Sequence, residues 1–300
     1  MSNLFANFLF FILIIIWSYT AIVTKVALQY IDPFELSLLR TLIGTLFLFL
    51  IAVALKKLTI PKNLWLVMVL GFLQNSLLMI FYNIALVRGG AGKVVLLIYS
   101  MPFWTIFFSV MFFKEKLSLL QKISFVLALS GLIFILRPWS SNSDLLSYIV
   151  AILGGLSWAA ANIVAIFIWR RGEKIDGITL SFWQMLFGFL GVFVFMFFVK
   201  VSRPMDVNPT LIFALFFIGV LATGFAWFLW LYLLKNISPS VVGLTSLLVP
   251  IFSIFEAWYH LGEVPEKYEI IGIFLILTAL LLIYLNSVMK IKRDKTHQDV

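Results

Sequence analysis

Three ionisable residues near the end of one apolar segment have the spacing that proton transfer requires. Glu256, His260 and Glu263 follow one another at intervals of four and three residues, so they share one face of a helix. Glu256 lies inside the apolar segment, where an ionised carboxylate costs about 2.5–3.5 kcal/mol and needs a partner or a proton. The pattern predicts a proton-coupling role for Glu256 and His260. The alternative is an interfacial position in which the two side chains bond to each other or extend towards water.

Arg40 is a second charged residue inside an apolar segment. Its guanidinium stays protonated and therefore needs an anion or backbone carbonyl groups as partners. One interpretation is a fixed cation that attracts the carboxylate of a solute, and the other is a structural tie to Glu35, a loop or headgroups. The next segment carries a polar string for which solute binding and helix-to-helix hydrogen bonding remain open: Gln74, Asn75, Ser76, Tyr82 and Asn83.

The composition places these residues in a membrane protein. Of the 300 residues, 63% are hydrophobic and only 12% are charged, about half the charged share of a soluble domain. The net charge of +9 comes from short basic clusters between apolar runs, which favours membrane orientation over nucleic-acid binding. The absence of cysteine excludes thiol chemistry, and no phosphate loop supports ATP-driven pumping. The sequence predicts no cofactor and no metal.

Polar clusters, proline and glycine divide the chain into apolar segments that are each long enough to span a bilayer. Ten spans are predicted near residues 5–25, 34–55, 65–87, 91–113, 118–136, 147–169, 178–199, 209–233, 239–261 and 267–288. The first span carries no basic leader region and is expected to be retained. The polar stretch at residues 137–144 indicates a linker between two groups of five spans.

The two groups of five spans are related by an internal repeat. An offset of 148 residues aligns Pro102 with Pro250 and Glu115 with Glu263, and apolar residues around them also coincide. Because five spans is an odd number, the second copy must cross the membrane in the opposite direction. The predicted units are residues 1–137, residues 144–288 and a basic tail at 289–300.

Basic residues predict the orientation of the spans. With the N-terminus inside, the inner loops and tail carry most of the lysine and arginine, including Lys56, Lys114, Arg170 and Lys290. Both termini are therefore expected to be cytoplasmic, in an inner or plasma membrane.

Short motifs in a repeated order carry a family resemblance. The first half has Trp17, then Asp32-Pro33-Phe34 before Arg40, then Pro102 followed by Glu115-Lys116-Leu117. The second half has Ser157-Trp158, Ser238-Pro239-Ser240, and Pro250 followed by Leu261-Gly262-Glu263. This order resembles the EamA branch of the drug/metabolite transporter superfamily. The resemblance implies two inverted five-helix repeats around a central cavity, with metabolites moved by alternating access.

The resemblance also implies which helices line the cavity, namely the first, third, fourth, sixth, eighth and ninth. Aromatic and polar side chains on these helices are predicted to bind the solute: Trp17, Tyr19, Asn75, Tyr82, Tyr99, Trp158, Asn162, Trp227 and Trp230. Packing or interface roles are the alternative for each of them. Pro102 and Pro250 remove backbone hydrogen bonds and are predicted helix hinges.

These patterns predict a secondary transporter for a small organic metabolite, either an amino acid or an amphipathic or cationic compound, with export favoured. The alternatives are an intramembrane enzyme and a membrane scaffold or lipid scramblase without transport activity. The expected partners are the solute and the lipid bilayer, and the pattern leaves monomer and homodimer open.

Overall fold

The chain forms a helical bundle in the computed structural model, which describes residues 3–114, 116–136, 144–171, 175–201, 204–229 and 245–298. Within these ranges there is no strand. The helices are α1 Asn3–Ala27, α2 Pro33–Ala54, α3 Leu64–Arg88, α4 Ala91–Phe113, α5 Leu119–Leu136, α6 Leu145–Arg170, α7 Gly177–Met196, α8 Pro209–Leu229, α9 Thr245–Leu261 and α10 Lys267–Gln298. Nine of those described are long and apolar enough to cross a membrane, and α9 contributes a shorter apolar stretch. The predicted all-α membrane fold is confirmed.

Polar residues at the loop boundaries start several of these helices. The Asp32 side chain accepts a hydrogen bond from the Phe34 backbone N–H at 2.9 Å, and Asn208 accepts one from Leu211 at 2.9 Å. Asp176 caps α7 in the same way. These caps satisfy N–H groups that have no partner within the helix, and they define where α2, α7 and α8 begin.

Two helices contain a wider turn at matching places in the two halves. The segment Phe72–Leu77 of α3 and the segment Phe217–Phe225 of α8 are π-helical. Gly71 and Gly219, which the repeat aligns, lie at these segments. A π-helical turn leaves some carbonyl groups out of the regular ladder, which makes them available to side chains on other helices.

The fourth helix is interrupted at its centre. Its regular hydrogen bonding stops at Tyr99 and Ser100, and a second helical piece begins at Met101 with Pro102 in its first turn. Proline fits this position because the first turn needs no N–H donor. Pro250, its partner in the repeat, lies inside α9 instead.

The two halves of the chain interlock around the centre of the bundle. The first helix of the first half, α1, packs against α8 and α9 of the second half. The first helix of the second half, α6, packs against α3 and α4 of the first half. The first helix of each half therefore packs against helices of the other half. Both halves line the space between them.

Close backbone contacts hold the peripheral helices together. A Cβ atom on Gly131 of α5 would lie 2.8 Å from the carbonyl oxygen of Gly272 in α10. Contacts this short leave no room for a side chain, so α5 and α10 pack backbone to backbone. Large apolar side chains point outwards to where lipid would lie, among them Leu50, Phe198 and Phe274. The helix α10 continues through the predicted tail to Gln298.

Candidate functional site

A central cavity lies between the two halves of the bundle. Its volume is about 80 Å³, which is room for a few water molecules. One set of lining residues is aromatic or polar: Trp17, Thr20, Arg40, Tyr82, Tyr99, Trp158 and Trp227. The other set is apolar or small: Leu78, Met79, Val95, Ile98 and Ala222. The lining comes from α1, α2, α3, α4, α6 and α8.

Three tryptophans from three helices meet in this cavity. The ring centroids of Trp17 and Trp227 are 5.6 Å apart, and those of Trp17 and Trp158 are 6.4 Å apart. Trp158 and Trp227 complete the triangle at 6.3 Å, and all three pairs are edge-to-face. Edge-to-face contacts are favourable for aromatic pairs, and they leave ring faces available to other groups. We call this group the tryptophan triangle.

The triangle is held in place by the irregular parts of α4 and α8. The Trp17 indole N–H donates to the carbonyl oxygen of Ala222 at 3.3 Å, within the π-helical segment of α8. Tyr99, at the interruption of α4, lies 5.3 Å from the Trp158 ring. Gly155 allows this contact, because a Cβ there would lie 2.7 Å from the carbonyl oxygen of Ile98. The broken helix and the glycine together bring α4 and α6 close to the cavity.

Arg40 brings a positive charge to the same cavity. Its side chain is 3% exposed and passes from α2 between α3 and α8. The guanidinium donates to the Thr223 hydroxyl at 3.3 and 3.4 Å and to the Asn83 amide oxygen at 3.4 Å. It also lies 5.6 Å from the centroid of the Tyr82 ring. The predicted contact with Glu35 is not among the ion pairs of the described residues.

Glu256 lies in the interface between α1 and α9, outside the central cavity. Its Oε1 atom accepts a hydrogen bond from the Ser18 hydroxyl at 2.9 Å, and the Ser253 hydroxyl donates to the Ser18 carbonyl oxygen at 2.7 Å. The second oxygen, Oε2, is buried and has no hydrogen-bond partner in the described part of the chain. His260 is exposed, one turn further along, with its ring 5.3 Å from Tyr19.

A second, polar cavity lies at the end of the bundle that carries Lys25. We call this end of the bundle the Lys25 face. Lys25 pairs with Glu263 and also donates to the Gly89 carbonyl oxygen at 3.0 Å. Lys93 pairs with Glu269 at 2.7 Å. Both pairs join the first half of the chain to the second, so charged groups link the two halves at this face. Under the predicted orientation it faces outwards.

The structure brings some of the predicted solute-binding residues together and separates others. Those at the central cavity are Trp17, Tyr82, Tyr99, Trp158 and Trp227. Asn75 is buried against α7, where its amide donates to the Gln184 carbonyl oxygen at 3.4 Å. Tyr19 packs on Phe217 and His260, and Asn162 donates to the Met101 sulfur at 3.0 Å. Trp230 lies outside the described residues.

Sequence reasoning did not select Thr20 or the apolar lining. Thr20 bonds to the backbone of its own helix, so nothing in its sequence position distinguishes it from a packing residue. Leu78, Met79 and Ile98 are equally ordinary residues of an apolar span. The resemblance implied that the ninth helix lines the cavity, whereas the described lining includes α2, through Arg40, and no residue of α9.

The chain matches a family model in both halves. Residues 4–137 and 145–285 each match the EamA-like transporter family. A Bacillus subtilis protein named uncharacterized transporter YoaV is 30% identical over 271 residues, covering 87% of this chain and 90% of that protein. An Escherichia coli protein named probable amino-acid metabolite efflux pump is 25% identical over 284 residues, covering 92% of each chain.

A solved crystal structure has the same fold. It superposes with a TM-score of 0.65 at 20% sequence identity and covers 95% of this chain and 99% of the other. At this identity the likeness supports the fold alone. The matches to the family model and the 30% identical relative show that the chain belongs to the EamA-like transporter family of the drug/metabolite transporter superfamily, and its long apolar helices span the membrane many times.

Proposed function

We propose that the protein is a secondary transporter that exports a small organic metabolite from the cytoplasm by alternating access. The observation that carries this proposal is the central cavity between two interlocked halves, lined by the tryptophan triangle and Arg40. A site shared by two repeats becomes exposed to each side in turn when one repeat rocks against the other.

The substrate proposed for this cavity is an amino-acid-like or amphipathic metabolite. Tryptophan faces suit an apolar or aromatic body, and the family relative from Escherichia coli is named for amino-acid metabolites and for efflux. We place both termini on the cytoplasmic side of an inner or plasma membrane, because the basic loops and tail would then lie inside.

Proton coupling is proposed to run through Glu256. Its position between α1 and α9 makes its environment depend on how the two halves sit against each other, because α1 and α9 belong to different repeats. The buried Oε2 atom without a partner is a site for a proton. A carboxyl group that gains a proton in one conformation and loses it in the other couples transport to a proton gradient.

Transport in proteoliposomes tests the proposal. Purified protein would be reconstituted into vesicles, preloaded with an unlabelled metabolite panel, and assayed for counterflow of each labelled compound. Saturable counterflow of at least one compound is expected, and a pH gradient should drive its accumulation. Absence of counterflow across amino acids, their deaminated acids, amines and nucleosides would contradict the transporter proposal and favour an intramembrane enzyme or a scaffold.

A further inference from the structure

We propose that Arg40 is the carboxylate-binding residue of the central cavity, which therefore selects monocarboxylates with an apolar or aromatic body. This inference rests on the proposed transport function and narrows its substrate class. It separates two classes that the aromatic lining alone leaves equal, namely amphipathic carboxylates and organic cations.

The positive charge of Arg40 lies beside the aromatic wall of the cavity. Arg40 lines the same cavity as Trp17, Trp158 and Trp227, although it comes from a different helix. At 3% exposure it is removed from solvent and from the lipid surface. Its guanidinium is held between α3 and α8 by Asn83 and Thr223, which fixes its position relative to the aromatic wall.

The guanidinium of Arg40 has an incomplete set of hydrogen-bond partners. A guanidinium has five N–H donors and cannot accept a hydrogen bond. Besides its contact with the Tyr82 ring, Arg40 donates three long hydrogen bonds, at 3.3–3.4 Å, to two neutral oxygens. No acidic side chain of the described residues forms an ion pair with Arg40, unlike Lys25, Lys57 and Lys93. A buried cation in this situation gains most from an anion that enters the cavity.

A carboxylate matches the geometry of the Arg40 guanidinium. A carboxylate accepts two parallel hydrogen bonds from one guanidinium, which Lys cannot offer in the same geometry. Apart from Thr20, the groups around the remaining space are aromatic rings and apolar side chains such as Met79, Val95 and Ile98. An anion with a second charge would have to leave that charge against this apolar wall at a high cost.

The amino group of an amino acid adds little to binding in this cavity. No Asp or Glu is among the described residues that line the central cavity. An α-ammonium group therefore finds ring faces and the neutral hydroxyl groups of Thr20, Tyr82 and Tyr99, which bind a cation weakly in comparison with a carboxylate. The cavity consequently requires the carboxylate and tolerates the ammonium, so deaminated acids are expected to be substrates as well as amino acids. A cation without a carboxylate is repelled by Arg40.

Four compounds with the same phenyl ring test this selection on the wild-type protein. They are 3-phenylpropionate, phenylalanine, phenylalaninamide and phenethylamine, each used as competitor in the counterflow assay. We expect the two acids to compete at concentrations at least tenfold lower than the amide and the amine. Equal competition by the amine would overturn the inference while leaving transport itself established. Absence of counterflow for every labelled compound would instead contradict the proposed function.

Variants of Arg40 test the residue. Arg40→Gln should abolish the preference for the acid over the amide. Arg40→Lys should retain this preference, but the acid should reach half-saturation at a higher concentration. Lys57→Gln is the matched control, because it removes one charge from an ion pair outside the cavity. Elution as a single species in size-exclusion chromatography checks folding. If Arg40→Gln does not fold, Arg40→Lys and the wild-type series still decide. An equal fall for acid, amide and amine would show that Arg40 is only structural.

Discussion

Glu256 of α9 accepts a hydrogen bond from Ser18 of α1 at 2.9 Å. Seven residues further along the chain from each of them, Lys25 of α1 pairs with Glu263, which lies just beyond the end of α9 at Leu261 and not on the helix face predicted for it. Two helices that run in the same direction and come from different halves of the chain are thus joined twice, once by a hydroxyl and once by an ammonium group. The contact with Ser18 involves a carboxyl group that can take up a proton, and the contact with Lys25 links the two halves at the Lys25 face.

Neutralising Glu256 is expected to uncouple transport from protons. In Glu256→Gln the amide can still accept a hydrogen bond from Ser18, so the helix contact is retained while the ionisable group is lost. Accumulation driven by a pH gradient should disappear, and counterflow without a gradient should persist. The control is Asp206→Asn, which removes an exposed acid from a loop. Unchanged gradient-driven accumulation in Glu256→Gln would contradict the proposed role.

Breaking the pair between Lys25 and Glu263 is expected to open the Lys25 face more often. A partly exposed ion pair contributes about 1 kcal/mol, which corresponds to a shift of about fivefold in the balance between states. The chain has no cysteine, so Thr20→Cys introduces a unique thiol at the central cavity. Labelling of this thiol by an impermeant reagent added at the Lys25 face should be about fivefold faster when Lys25→Ala is also present.

The charge-reversed pair controls for that result. Lys25→Glu combined with Glu263→Lys restores opposite charges at the same two positions, so labelling should return towards the rate of Thr20→Cys alone. If Lys25→Ala leaves the labelling rate unchanged, the pair does not hold this face closed.

Two adjacent glycines of α6 are expected to respond differently to the same substitution. In Gly155→Ala the new Cβ would lie 2.7 Å from the Ile98 carbonyl oxygen, so α6 must move away from the interruption of α4. We expect a loss of about 1–3 kcal/mol and a lower transport rate. In Gly154→Ala the nearest atoms are 3.5 Å away, an ordinary contact, so stability should be unchanged or slightly higher. Thermal unfolding in detergent compares the two, and equal midpoints would contradict this account.

Asp176 is expected to contribute a small pH-dependent term to stability. Partial burial disfavours its charge, but hydrogen bonds from Lys57 and the Ile178 N–H outweigh this effect and hold the pKa of Asp176 below its usual value of 3.8. Since the pKa is lowered in the folded state, the stabilisation is present above the pKa of the unfolded chain. It is lost as the pH falls through the folded value.

Asp176→Asn isolates this contribution. Asparagine still caps α7 but carries no charge, so the variant should be less stable than the wild type near neutral pH by about 0.2–1 kcal/mol. The difference in unfolding midpoint should shrink as the pH falls below 3.8. A difference that stays constant with pH would assign the effect to packing instead of charge.

Much of the fold follows from local properties of the sequence. Apolar segments of about 20 residues must become helices in a bilayer, because every backbone polar group needs a partner there. Asp32-Pro33 and Asn208-Pro209 mark helix starts for the same local reason. The interruption of α4 at Tyr99 has no comparable signal, since Pro102 alone does not specify on which side of it the helix breaks.

The candidate site was only partly visible before the fold was known. Trp17, Trp158 and Trp227 are separated by large distances in the chain, and their types indicated binding without indicating that they touch. Tyr19 and Asn75 are equally reasonable by type, yet they face neighbouring helices because of their angular position on α1 and α3. A rotation of one residue, about 100° around a helix, separates a lining position from a packing one.

By itself, the sequence determined that the chain spans the membrane about ten times, repeats itself in opposite directions and carries a few charged groups at depth. These conclusions depend on composition, length and spacing, which are local. Only the tertiary structure decided that Arg40 shares a cavity with the tryptophan triangle, while Glu256 lies apart from it against Ser18. Such juxtapositions depend on how helices from the two halves rotate and cross, and packing across the whole bundle sets those angles.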